Sequence, residues 1–334
     1  MMRPQLTIAI PTYNRQEKLK ECLERVINYS KNMNIEILVS DNASSDDTQT
    51  VVNDIQKFNP QIRYYRNKEN LGFDGNFLNC FEKAKGEYVW LMSDDDILLP
   101  GAVESVLEGC TRKPICMHLN SSGIESENPL TLGKARFVEK GLIEFTDRNF
   151  FIKSIGIYCT FVSSLVFNSD LVKAIKNKEQ YFGTNILQSH ILFETMKNDG
   201  VYIINSYNCL AARGNNTVRY DVLETWIKNF SELLLTTGSN CKFDKKVLSE
   251  ILKKELSSTV YEFVLHFRQT CENEFTWNRD CIWPYIEKYP DIVNKYQLAL
   301  KSSKKKLKLL QYKYKISRKM KSLWIKIKLI IRIS

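Results

Sequence analysis

The chain has 334 residues, 43% hydrophobic and 26% charged, which excludes wholesale disorder and leaves room for one large domain with an appendage or for two domains. Its formal net charge of +10 is uneven: residues 301–334 hold 13 Lys and Arg and no acid, while residues 1–300 carry 35 basic against 38 acidic side chains. Nine cysteines without a Cys-x-x-Cys pair argue against a zinc site or a redox pair and for a reducing compartment.

Leu6-Thr7-Ile8-Ala9-Ile10 reads as a short buried strand, stopped by Pro11-Thr12-Tyr13-Asn14. It begins too close to Met1 for a secretory h-region, and no run of 18 apolar residues offers a membrane span, so a cytosolic or membrane-surface protein is expected. Leu19, Cys22, Leu23, Val26 and Ile27 then fall on one face of a helix. Ile35 to Ser40 is a second strand ending at Asp41-Asn42. Ser44 to Asp47 supply N-cap candidates for a helix bearing Val51, Val52, Ile55 and Phe58. Ile62 to Tyr65 is a third strand and Asn70-Leu71-Gly72 a turn. A helix with Phe77, Leu78, Phe81 and Ala84 leads through Gly86 to a fourth strand, Tyr88 to Met92.

This βαβαβαβ order with short links predicts a mostly parallel sheet covered on both faces. No GxGxxG follows the first strand, which argues against a nicotinamide-binding domain. Further on, Ile115 to Leu119 reads as a strand, 120–145 as loop, Tyr158 to Phe167 as β-rich, Asn185 to Met196 as a helix and Val201 to Ile204 as the domain's last strand. Helical patterns dominate from Asp221 to Arg268. The predicted division is a domain over 1–216, a helical region over 217–300 and a basic tail over 301–334.

Three carboxylates, Asp94, Asp95 and Asp96, follow the fourth strand directly. A buried strand cannot hold them, so they sit past its carboxyl end, where open α/β sheets bind ligands. Hard oxygen ligands in this number suit Mg²⁺ or Mn²⁺ shared with substrate phosphates. Pro11, Thr12, Tyr13 and Asn14 and then Asp41 and Asn42 end neighbouring strands on the same edge. Taken alone, each polar residue is equally a turn or a cap. Together they suit a nucleoside diphosphate, with Asp41 accepting from a base N–H, and Thr12 and Asn14 fixing base or ribose.

The ordered set Pro11-Thr12-Tyr13-Asn14, Asp41-Asn42-Ala43-Ser44-Ser45-Asp46, Asn70-Leu71-Gly72, Lys85-Gly86-Glu87-Tyr88 and Asp95-Asp96 with Pro100 resembles the motifs of family 2 glycosyltransferases of GT-A fold. The likeness covers about residues 5–105, and its wording is closest to an abequosyltransferase-like subgroup of bacterial surface-polysaccharide enzymes. It implies a Rossmann-like mixed sheet, a nucleotide-sugar donor and a saccharide acceptor. It also implies a divalent ion on Asp96, with Asp95 turned to the donor, and donor contacts that include Asn70, Asn76 and Asp94. Many members read Asp-x-Asp-Asp, whereas Ser93 stands first here, so the role of Asp94 is open.

Members of the family invert the anomeric centre, which calls for a general base. The usual Glu-Asp pair is replaced by Gln188-Ser189-His190, so His190 becomes the candidate base, with Glu194 and Asp170 as alternatives. His118 and His266 read as structural. Arg213, ahead of Gly214-Asn215-Asn216, is a candidate for the diphosphate. In the tail, Ile316, Met320, Leu323, Ile327 and Ile330 recur at helical spacing among lysines, beside Trp324. Such a helix fits an anionic membrane surface better than nucleic acid, because the rest of the chain is slightly acidic. The expected protein is cytoplasmic, peripheral on the inner face of the cell membrane, and acts on a lipid-linked saccharide. A non-catalytic nucleotide-sugar-binding scaffold and a nucleotidyltransferase are the rival readings.

Overall fold

The computed structural model describes residues 2–127, 130–138, 140–213, 220–270 and 278–331, and the side chains of the last helix as far as residue 317. The chain separates into two compact units, Met1–Asn215 with Glu232–Ser249 and Asn216–Ser231 with Glu250–Ser334. The returning segment 232–249 thus belongs with the first unit, although the sequence pattern assigns it to a separate helical region.

The first unit is built on a ten-stranded mixed sheet. β1 (Leu6–Thr12), β2 (Ile35–Asp41), β3 (Ile62–Arg66) and β4 (Tyr88–Leu91) form its parallel half, in the order β3-β2-β1-β4. Helices α1 (Gln16–Tyr29), α2 (Thr48–Gln56) and α3 (Gly72–Lys83) are the crossovers. β1 and β2 are buried along their whole length, which is why they read as continuous apolar runs. Each fully buried Val, Leu or Ile in them contributes about 1.5–3 kcal/mol. Gly86 is needed because a Cβ there would meet the Thr7 nitrogen at 2.5 Å and the Tyr88 oxygen at 2.7 Å.

Beyond β4 come β5 (Ile97–Leu98), α4 (Ala102–Cys110), β6 (Cys116–Glu127), β7 (Leu130–Leu132) and β8 (Leu142–Phe145). After α5 (Arg148–Ile155) follow β9 (Leu165–Asn168), α6 (Ser169–Ala174), α7 (Leu187–Thr195) and β10 (Tyr202–Ala212). The sheet continues β4-β9-β6-β10-β5, with β9 antiparallel to both β4 and β6. β6 and β10 run well past their predicted ends. They pair with each other in parallel, so ladder hydrogen bonds carry polar residues such as Asn120, Asn205 and Asn208 that propensity disfavours in strands.

The segment predicted as β-rich from Tyr158 begins instead as two 3-10 turns, Gly156–Thr160 and Val162–Ser164. Local side-chain bonds explain the difference: Thr160 Oγ1 donates to the Ile157 carbonyl and Ser164 Oγ to that of Phe161.

In the second unit, Val222 and Phe267 form a small core with Trp226, Tyr220 and Phe263 around it. The single long helix suggested by Leu248 to Phe263 is two, Lys245–Ser257 and Thr259–Thr270. Arg268 Nη2 donates to the carbonyls of Leu300 and Ser302, placing a cation at the end of helix Pro290–Lys301. The tail forms helix Lys304–Ile331, with Leu307 buried and Tyr314 edge-on to Tyr261. Among the described residues no helix is long and apolar enough to cross a membrane.

Candidate active site

In the ladder Thr12 lies opposite Asp41 and Asp41 opposite Arg66, so three adjacent strands end side by side. The loops beyond them are tight. Asn14 and Ala43 both have positive φ, at 52° and 63°, a conformation that costs non-glycine residues about 1–2 kcal/mol and persists only where surroundings over-determine it. Here the surroundings do so: Asn14 Oδ1 accepts from the Ser45 nitrogen, Ser44 Oγ from the Asn14 nitrogen, and Asp41 Oδ1 from the Ser44 nitrogen.

The carboxylates after β4 are individually held. Asp94 accepts from Thr12 Oγ1 at 2.7 Å and from Arg15 Nη1 at 3.0 Å. Asp95 accepts from Ser93 Oγ at 2.6 Å and from the same Arg15 nitrogen at 2.9 Å. Asp96 accepts from Ser163 Oγ at 2.5 Å and from the Arg213 backbone nitrogen at 3.2 Å. Ser163 is itself fixed, its Oγ taking the Ser93 N–H and its carbonyl the Trp90 indole N–H. Burial, opposed by Arg15, pushes Asp94 up to about 6, and burial with the charge of Asp95 pushes Asp96 up to about 7. Two buried acids with raised proton affinity beside a third lack positive charge, which is what a bound cation supplies.

The donor set fits a divalent ion of the Mg²⁺ or Mn²⁺ type, all of its atoms being hard carboxylate oxygens, and the Arg15 guanidinium already stands in as a cation between Asp94 and Asp95. Among the described residues no three His, Cys, Asp or Glu side chains converge to hold an ion unaided. Such an ion would therefore need ligands from a bound phosphate as well, the usual arrangement for Mg²⁺.

Several residues expected to touch a ligand are instead consumed by the scaffold. Asn42 uses its full capacity: its amide group donates to Asn70 Oδ1 and the Gly72 carbonyl, and its Oδ1 accepts from Asn67 and the Leu71 nitrogen. Asn76 is buried, exchanging bonds with Ser40 and accepting from Asn67. Asn70, by contrast, is exposed and gives only its Oδ1 to the scaffold, accepting from Asn42 and the Gly72 nitrogen. These asparagines splice the loop after β2 to the start of α3. Asp41 is fully buried, with Oδ2 engaged by Tyr64 and Arg66, so one lone pair on Oδ1 is what it could still offer a base. Thr12 orients Asp94 rather than a ribose. The residues of these loops and strand ends that keep exposed surface include Tyr13, Asn14, Arg15, Arg66, Asn70 and Asp95.

Arg213 also departs from expectation. Its Nε bonds Glu127, its Nη2 bonds Glu21 and its Nη1 the Asp95 carbonyl, so all three nitrogens are engaged by the protein, tying β6, α1 and the acidic loop together. Gly214 to Asn216 lie outside the described residues.

His190, expected as the general base, lies in an enclosed setting. It is 4% exposed, its Nδ1 meets Thr237 Oγ1 at 2.9 Å, its ring stacks on Tyr181, and burial pushes its pKa down to about 4. Its Nε2 is buried without a hydrogen-bond partner among the described residues. Glu194 is taken by Tyr181, Lys197 and Cys241. Asp170 pairs with Arg3 beside the start of β4, at the opposite edge of the sheet. His118 is buried against Phe137, its pKa pushed down to about 3 by burial. What does approach the carboxylate loop is the start of α7: Gln188 and Ser189 donate to the carbonyls of Thr160 and Cys159, in the turns that carry Ser163.

Sequence reasoning missed Arg15, Ser163 and Arg66. Arg15 had a signal, standing one residue past a strand-end motif opposite an acidic run. Ser163 had none, being placed by two turns that the apolar pattern disguises.

The glycosyl transferase family 2 model matches residues 7–171. The abequosyltransferase RfbV of Salmonella typhimurium is 32% identical over 214 residues, 58% of this chain and 62% of that protein. A GalNAc(5)-diNAcBac-PP-undecaprenol beta-1,3-glucosyltransferase of Campylobacter jejuni is 39% identical over 106 residues, 31% of this chain and 34% of that one. The match thus spans less than two thirds of the length of either relative. The crystal structure of S. aureus TarS 1–349 in complex with UDP-GlcNAc superposes with a TM-score of 0.60 at 15% identity, covering 87% of this chain and 81% of that one, a likeness of fold. Residues 7–171, just under half of the chain, thus match the glycosyl transferase family 2 model, on a fold of the GT-A kind.

Proposed function

We propose that the chain is an inverting, metal-dependent glycosyltransferase that moves a sugar from a nucleoside-diphosphate donor to a saccharide acceptor in the assembly of a bacterial surface glycan. The observation that carries this reading is the carboxylate loop Asp94-Asp95-Asp96, each member held by a separate donor at the end of β4 and beside the ends of β1 and β2. The relatives' printed activities, abequosyl transfer and glucosyl transfer to an undecaprenol-linked saccharide, support the reaction class and a lipid-linked acceptor.

Asp96 and Asp95 would hold Mg²⁺ or Mn²⁺, which when bound acts as a Lewis acid toward the diphosphate that departs. Ser163 and the Arg213 backbone fix the direction of Asp96, as outer partners of metal ligands do. Tyr13 offers the nucleoside an aromatic face, and Asp41 keeps one acceptor for the base. The tail favours a peripheral place at the cytoplasmic membrane surface. On helix Lys304–Ile331, Leu309, Tyr312 and Ile316 are exposed at helical spacing among lysines.

The test is sugar transfer from a panel of nucleotide sugars with Mn²⁺ and an undecaprenol-linked saccharide, in wild type and Asp96→Ala. Transfer by wild type and its loss in the variant is the expected result. Unchanged transfer in Asp96→Ala removes the metal assignment.

A further inference from the structure

Arg15 and Arg213 both meet the acidic loop, and they do so differently. Arg213 spends all three guanidinium nitrogens on fixed partners and its side chain is 12% exposed. Arg15 reaches Asp94 and Asp95 through Nη1 alone, and its side chain is 34% exposed. Among the described residues its Nε and Nη2 donate to nothing. Those two nitrogens form the planar fork that suits a phosphate in bidentate fashion. Arg15 is also the residue just ahead of α1, where the chain leaves β1, so a rotation of its long side chain disturbs no helix or strand hydrogen bond. A structural arginine would be placed as Arg213 is. A half-used fork on the rim of the crevice has the geometry of a group that changes partners.

We propose that Arg15 is an exchangeable counter-ion: in the donor-free protein it holds Asp94 and Asp95 together, and it turns to the donor's diphosphate when a divalent cation, bound by Asp96 and Asp95, takes over its share of the loop's charge. The inference rests on the reading of Asp94–Asp96 as a metal and diphosphate site. Electrostatics gives the reason for the exchange. Two adjacent carboxylates, Asp94 buried and Asp95 partly so, need a cation when the site holds no ligand, or they repel each other and the loop opens. A guanidinium left in place would then oppose a doubly charged ion a few ångströms away, whereas the incoming diphosphate offers it a stronger partner. Asp94 is then the anchor of the exchange, since Thr12 keeps holding it throughout.

The exchange predicts opposite effects of one substitution on two ligands. Mn²⁺ is titrated into the full chain without nucleotide, free ion being read by electron paramagnetic resonance, for wild type, Arg15→Gln, Arg15→Lys and Asp96→Asn. Arg15→Gln removes the resident competitor and should bind Mn²⁺ about tenfold tighter, the order expected for one partly screened unit charge at contact distance. With Mn²⁺ present, UDP, GDP, CDP and dTDP are titrated calorimetrically. The nucleotide that wild type binds best should bind Arg15→Gln about tenfold more weakly, and Arg15→Lys more weakly than wild type for want of the fork. A damaged fold would weaken both ligands, so the opposed signs identify exchange. Mn²⁺ affinity in Arg15→Gln equal to or below that of wild type overturns the inference. Binding of Mn²⁺ by wild type that is indifferent to Asp96→Asn overturns the underlying metal reading instead, and absence of Mn²⁺ binding in every protein overturns both.

Discussion

Asp74 joins two parts of the first unit that the sequence separates by more than a hundred residues. It lies in the first turn of α3, buried, and its carboxylate accepts from the Asn185 nitrogen at 3.0 Å and the Leu187 nitrogen at 3.2 Å. Those amides open α7, and Asn185 has positive φ, at 59°. Asp74→Ala removes the acceptor of both, the Leu187 amide being buried and that of Asn185 partly so. An orphaned buried donor costs about 1–3 kcal/mol, and capping losses of this kind centre near 1 kcal/mol. Summed with partial relaxation, the substitution should cost about 2–4 kcal/mol. Asp74→Asn retains one acceptor oxygen and should cost about half as much. Urea unfolding followed by circular dichroism gives the global change, and hydrogen exchange of the 183–196 peptide gives the local one. Exchange there should speed up by more than tenfold in Asp74→Ala while β1 and β2 stay protected in proportion to global stability. An Asp74→Ala protein within 0.5 kcal/mol of wild type, with unchanged exchange at 183–196, would refute the claim that this carboxylate pins α7.

Three further outcomes are expected. Ser163→Ala should weaken Mn²⁺-dependent nucleotide binding by about 10- to 100-fold, the usual cost of losing a partner of a metal ligand; calorimetry decides, and unchanged affinity would show that Asp96 needs no orientation. His190 stays neutral in the fold, its pKa lowered from 6.5 to about 4, so the unfolded chain binds the extra proton between those values and wild-type stability falls as pH drops through that window. His190→Gln should remove about 1.4 kcal/mol per pH unit of that slope between pH 6 and 4.5, read as the wild-type minus variant difference in urea midpoints. Changing Lys305, Lys308, Lys313 and Lys315 to Glu should abolish cosedimentation with phosphatidylglycerol vesicles at 0.1 M salt and leave phosphatidylcholine unaffected; retained binding to the anionic vesicles would remove the membrane role of the tail.

The parallel half of the sheet was legible because its strands are buried on both faces and its helices carry long apolar faces. For β1, β2 and α1 a local pattern and the tertiary environment point the same way. The rest was legible only in part. The starts of β6 and β10 read as strands, but their far ends are strands because each supplies the other's hydrogen bonds, a fact that no window of ten residues contains. The same division applies to the crevice. The carboxylate run announces itself by the cost of burying three charges, whereas Ser163 reaches Asp96 from 67 positions away through two turns.

Residue type also misled in one consistent way. Asn42 and Asn76 recur at strand and helix ends, as ligand-binding residues do, yet their amides are spent on neighbouring asparagines, Ser40 and the backbone. An amide can be counted as a ligand contact only after its two donors and two lone pairs have been assigned. Under that count the donor-facing chemistry contracts to Tyr13, Arg15, Arg66, Asp95, the Nδ2 groups of Asn14 and Asn70 and a single lone pair of Asp41, with Asp96 behind them. The asparagines keep a loop of positive-φ residues rigid enough for those few groups to converge. A loss of nucleotide binding in Asn42→Ala would therefore report the collapse of that loop, and it should appear together with faster hydrogen exchange at residues 41–47; lost binding with unchanged exchange there would return Asn42 to the contact set.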